Sequence, residues 1–248
     1  RSSLVTSFSC FKYMSLYSAI QFVTVSILYK TGTNLGDFQF LYIDLFLILP
    51  LAIFMSWSKP YQTLVVKRPT ANLVSPKVLI PMSCHILVIL FFQVILWMSV
   101  HGRSWYIKPI PGSDDAVQSS DNTILFLFTN FQYILIAVVL STGPPYREPV
   151  SKNLPFVLNV VVACLLSCSC FLIEQDSWWG AFMQLTNMPR IWYWIVVLVA
   201  LVNFGVMMVG EKWWFPKVAQ VYKRFTKRDK RRRKIFKNLR REYESGEV

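Results

Sequence analysis

Two carboxylates seven residues apart in an otherwise apolar run are the groups in this sequence best placed to do chemistry. Asp37 and Asp44 lie in TNLGDFQFLYIDLFLILPLAIFMSW, Thr33–Trp57. Seven residues is two helical turns, so the acids share a helix face with Leu41 and Ile48. Asp44 falls on the order of 10 Å into a helix covering the apolar run. An ionised carboxylate deep in a bilayer costs roughly 2.5–3.5 kcal/mol on insertion scales, which turns this face away from lipid and toward the protein interior. Pro50 has no N–H and displaces the carbonyl of Phe46, leaving an acceptor half a turn from Asp44. A carboxylate beside a free carbonyl suits a cation. The plainer alternative is that Asp44 hydrogen-bonds a neighbouring helix and Pro50 is a tolerated kink. In the preceding apolar run, Tyr13, Tyr17 and Gln21 recur every four residues as a polar stripe that faces a partner. The Lys30–Asp37 connection is short, so the two helices are antiparallel neighbours, with Tyr17 and Gln21 near the depth of Asp44. Together these groups can line one cavity, and ordinary interhelical hydrogen bonding explains the stripe as well.

The elements that must hold these residues follow from the apolar windows. The chain is 54% hydrophobic and 16% charged, which excludes an ordinary soluble domain. The expected fold is an all-α membrane protein with six transmembrane helices, at Phe8–Tyr29, Phe38–Trp57, Val78–Val100, Thr123–Ser141, Pro155–Ile173 and Ile191–Val209. Residues 1–57 form the site-bearing helix pair, 58–77 a basic loop, 78–210 the supporting helices and 211–248 a basic tail. With the N-terminus in the cytosol, that side holds twenty-one Lys and Arg against four opposite, so both termini are cytosolic. Lys12, inside the first span, can snorkel to the interface and is given no chemistry. The loop holding Asp114, Asp115 and Asp121 reads as solvated on the far side. His85, Gln93, Asn130, Gln132, Asn159 and Asn203 read as helix-packing polars. The five cysteines, Cys10, Cys84, Cys164, Cys168 and Cys170, lie in the spans without zinc-ligand partners and read as small packing residues.

The tail Lys223–Arg241 holds twelve basic residues and one acid. So close to a membrane span, its expected partner is anionic lipid rather than nucleic acid. Val218, Val221, Tyr222 and Phe225 recur at helical spacing, as in an amphipathic helix along headgroups. The chain opens RSSLVTSFSCFKYM, without a basic leader or cleavage site, and reads as a piece of a longer protein.

From FSCFKYMSLYSAIQF through TNLGDFQFLYIDL to SKPYQTLVVKRP, the sequence closely resembles the C-terminal membrane half of the type V P-type ATPases. By that resemblance the spans are M5 to M10 of a ten-span core. ATP, magnesium and the phosphorylated aspartate belong to upstream domains of the same polypeptide, so this fragment has no cofactor or catalytic residue of its own and should be inactive alone. Lys30-Thr31-Gly32-Thr33 matches part of the family's Asp-Lys-Thr-Gly-Thr phosphorylation signature, but Tyr29 stands where the aspartate is required. One branch works in the endoplasmic reticulum as a helix dislocase and shares Gly36, Asp37 and Gln39. The endolysosomal or vacuolar branch moves polyamines to the cytosol and has matches for Asp44, Tyr17 and Gln21, all present here. The resemblance therefore implies a monomeric polyamine pump of endolysosome or vacuole, with Asp44, Tyr17, Gln21 and Asp37 as substrate-binding residues and no metal site. A cation channel or secondary transporter would need a pore loop, a gating-charge helix or an inverted repeat, and none is found.

Overall fold

The computed structural model describes residues 2–63, 72–110, 117–141, 143–172 and 178–226. Among them the chain is helical, apart from one isolated bridge pairing Pro60 with Arg147. The helices are α1 (Ser2–Thr31), α2 (Asp37–Ser56), α3 (Pro76–Val100), α4 (Ser120–Leu140), α5 (Leu154–Leu172), a short α6 (Trp178–Phe182) and α7 (Arg190–Thr226). Local chemistry sets several of the ends. Gly32 follows α1 in the left-handed conformation that a helix C-terminus favours. Pro76 opens α3 where its missing N–H costs nothing. Ser119 caps α4, its hydroxyl accepting from Asn122 N–H at 3.2 Å.

Among the described residues five helices, α2 to α5 and α7, are long and apolar enough to cross a membrane. α1 has 30 residues, more than the ~20 a crossing needs, but its Ser, Thr, Tyr, Gln and Lys residues make it less apolar. It packs beside α2, α3 and α4 as part of the same bundle.

The bundle is built around α4. Nearly every side chain of α4 is buried, because α1, α2, α3, α5 and α7 surround it. The outer helices each bury a single stripe. In α3 it is Val78, Pro81, His85, Ile89, Gln93, Leu96 and Val100, and in α7 it is Trp192, Val196, Ala200, Asn203 and Met207. Polar residues on these stripes meet one another. Thr24 donates to Gln93 Oε1 at 3.1 Å, and Gln93 Nε2 donates to Gln132 Oε1 at 2.8 Å.

Three charge assignments need correction. Arg147, counted from the sequence among interfacial charges, is fully buried, and its Nη2 donates to Met55 O. Asn153 Nδ2 donates to Phe54 O at 2.8 Å, beside the Trp57 N–H that the same carbonyl accepts, so the two side chains add donors to carbonyls at the end of α2. Burial also lowers the pKa of the guanidinium. Asp121 is not solvated but fully buried, and accepts from Tyr106 Oη at 2.8 Å. Lys12 does more than snorkel: its Nζ lies 3.1 Å from Glu211 Oε1. Asp114 and Asp115, and the tail beyond Thr226, lie outside the described residues. Before it, α7 runs unbroken past position 211, with Val218, Val221, Tyr222 and Phe225 exposed along the extension.

Candidate functional site

Tyr17 and Asp44 come together as their spacing implies. The Tyr17 hydroxyl donates to Asp44 Oδ1 at 2.5 Å, joining α1 to α2. Gln21 lies one turn along α1, close enough to the same hydroxyl to influence it. The Tyr17 ring lies 5.7 Å from that of Tyr133 on α4. A phenol bound to a carboxylate, an amide beside it and two aromatic faces offer what a desolvated organic cation needs.

The backbone under Asp44 departs from an α-helix. Ile43–Ile48 forms a π turn, and Leu49 N–H bonds to Asp44 O, five residues back. Leu45 O therefore loses its ordinary donor, Leu49, while Phe46 O loses its own because residue 50 is proline. Two carbonyls adjacent to Asp44, rather than the one expected, are left without an i+4 partner.

Within the described residues the shared face is left uncovered. Asp37, Leu41 and Asp44 lie on the exposed side of α2, whereas Ile48 is buried. The extra residue in the π turn rotates everything beyond it, so Ile48 leaves the stripe. Asp37 is not part of the Tyr17 cluster; it lies two turns away, on the order of 10 Å, in the first turn of α2. There its charge complements the N-terminal end of the helix dipole. Its neighbour Gln39 is fully buried, accepting from Gly36 N–H at 3.1 Å and donating to Met183 O at 2.8 Å. A side chain at Gly36 would collide with Gln184, so glycine and glutamine together dock this end of α2.

A second cluster escapes sequence reasoning. Glu211, in a π turn at Gly210–Trp214, meets Lys12 of α1 and lies 3.2 Å from His85 Nε2 of α3. The only sequence signal is an acid just beyond an apolar run, and neither partner is near it in the chain.

No family model matches this chain. Over 204 residues it is 55% identical to the vacuolar cation-transporting ATPase YPK9 of Saccharomyces cerevisiae, a match covering 82% of the chain and 14% of that protein. It is 32% identical over 235 residues to the polyamine-transporting ATPase 13A3 of Homo sapiens, covering 86% of the chain and 19% of that protein. Over 165 residues it is 40% identical to the polyamine-transporting ATPase 13A2 of Mus musculus, covering 65% of the chain and 14% of that protein. The chain thus spans less than a fifth of the length of each of these relatives.

Proposed function

From the chain's membership of the type V P-type ATPase family, we propose that it supplies transport-site helices of an ATP-driven pump that moves polyamines from vacuole or endolysosome lumen to cytosol. Asp44 is the principal ligand for a substrate ammonium, Tyr17 and Gln21 orient it, and Asp37 attracts the cation at the water boundary. The observation that carries this reading is the Tyr17–Asp44 contact at 2.5 Å, beside two carbonyls deprived of their usual donors. Spermine and spermidine are extended chains of spaced ammonium groups, and carboxylates, carbonyls and aromatic faces set at intervals match them.

The exposure of Asp44 fits this role. A carboxylate on that side would be costly against lipid, so in the full-length protein the face suits cover by other helices of the same polypeptide. ATP and magnesium act in parts of the pump outside this chain, where an aspartyl phosphate supplies the energy. The basic tail contributes attraction to anionic lipid at the cytosolic face.

The test is Asp44→Asn in the full-length protein. The amide keeps the shape and one acceptor oxygen but removes the charge an ammonium needs. The variant is expected to fold and to be phosphorylated by ATP, yet to lose spermine stimulation of ATPase activity and spermine-induced dephosphorylation. Wild-type half-maximal stimulation in Asp44→Asn would make the residue structural.

A further inference from the structure

Behind the Tyr17–Asp44 pair, two tyrosines point hydroxyls into the bundle with nothing to bond. Tyr13, one turn before Tyr17 on α1, and Tyr133 on α4 are both fully buried. Neither hydroxyl has a hydrogen-bond partner. Several buried threonine hydroxyls in the core are used: Thr24 bonds Ile20 O and Gln93, Thr129 bonds Phe126 O, and Thr123 pairs with Thr186, whereas the Tyr42 and Ser167 hydroxyls, like those of Tyr13 and Tyr133, have no partner. The Tyr133 ring packs at a tilt against that of Tyr17, and Tyr133 lies close enough to Tyr13, Tyr17 and Asp44 to interact electrostatically with each. Tyr133 therefore packs beside the tyrosine that holds Asp44, and Tyr13 lies one turn from that tyrosine on the same helix.

We propose that Tyr13 and Tyr133 form the inner wall of the Asp44 site and accept hydrogen bonds from an alkylammonium group held there. The inference rests on the function proposed above and adds two ligands to it. A phenol oxygen has lone pairs for an N–H donor, and the ring beneath offers a negative face to the methylene-flanked charge. Asp44 then neutralises the ammonium from the exposed side while the tyrosines satisfy its remaining protons from the buried side. Without a cation, both hydroxyls bear the desolvation cost of buried, unpaired polar groups, and a phenylalanine would fill the same space without that cost. Stability and binding thus make opposite demands on these two oxygens, which makes the proposal separable from a packing role.

The experiment uses full-length protein in detergent, comparing Tyr13→Phe, Tyr133→Phe and Asp44→Asn with wild type, with spermine as the probe. Thermal midpoint and half-maximal spermine for dephosphorylation are measured together, and phosphorylation by ATP confirms that each variant is folded. Each Phe variant is expected to melt at or above the wild-type temperature while its half-maximal spermine concentration rises roughly tenfold, as for one lost hydrogen bond to a charged group. An unchanged half-maximum in both Phe variants, with Asp44→Asn impaired, would overturn the inner wall and leave the Asp44 site intact. A lowered melting temperature would also overturn it, since the hydroxyls would then be bonded within the native fold. If Asp44→Asn itself behaves as wild type, the site falls and this proposal with it.

Discussion

At Gln39 both ends of one amide are in use: the oxygen takes the Gly36 N–H and the nitrogen gives to Met183 O, in a fully buried setting. Asp37, two residues before it, is exposed and holds only the favourable end of a helix dipole. The pair separates a buried anchor from an exposed charge. Gln39→Leu would leave two buried backbone groups unpaired, at ~1–3 kcal/mol each, and the thermal midpoint of the full-length protein is expected to fall clearly. Asp37→Asn should change stability by a few tenths of a kcal/mol and weaken spermine stimulation less than Asp44→Asn does, because water screens an exposed charge. A larger loss of stability in Asp37→Asn than in Gln39→Leu would reverse these assignments.

Among the elements, the two π turns decide where charged side chains stand. In α7 the turn places Phe215 over Gly210, where a Cβ would strike the ring, and sets that ring edge-on to His85 at 4.8 Å between centroids, beside Glu211. In α2 the turn lies before Pro50 and positions Asp44 against Tyr17. Pro50→Ala restores an N–H to the helix and lets an α register run through. It should stabilise the full-length protein by ~1–3 kcal/mol while raising half-maximal spermine severalfold, as Asp44 rotates away from Tyr17. Thermal melting and spermine-dependent ATPase activity check both halves, and unchanged spermine dependence would detach the π turn from the site. Much of this site was readable in advance: the four-residue stripe Tyr13–Tyr17–Gln21 and the short connection to α2 sufficed to pair Tyr17 with Asp44. The direction of Asp44 was not, because periodicity ranks positions around one helix but is blind to which side is covered. Nor was the central place of α4, since its composition resembles that of the outer helices and only contact on every side distinguishes it. Arg147 shows the limit of counting charges, which treats a buried helix cap and a solvated anchor alike.

For the whole molecule the question is how many times the chain crosses the bilayer. Asn34 is exposed between α1 and α2, Val74 is 74% exposed before α3, and Tyr222 is 52% exposed on the extension of α7. One crossing, α2, separates Asn34 from Val74; four more, α3, α4, α5 and α7, bring Tyr222 back to the side of Val74. α1 is the open case: at 30 residues it reaches ~45 Å, ample for a bilayer, yet it is the least apolar of the long helices. If its polar stripe is satisfied by α2, α3 and α4, its remaining face can meet lipid and α1 also crosses, placing exposed Ser3 with Val74 and Tyr222. We propose that this side is cytosolic, because the sequence assigns it twenty-one Lys and Arg, buried Arg147 among them, against four on the other. Single cysteines at Ser3, Asn34, Val74 and Tyr222 in full-length protein, with the native cysteines replaced by serine, can be labelled by an impermeant maleimide in sealed vesicles of known orientation. Ser3→Cys, Val74→Cys and Tyr222→Cys are expected to react from the cytosolic face and Asn34→Cys from the opposite one. Labelling of Ser3→Cys together with Asn34→Cys would reduce the chain to five crossings, with α1 lying along the bundle instead of through the membrane.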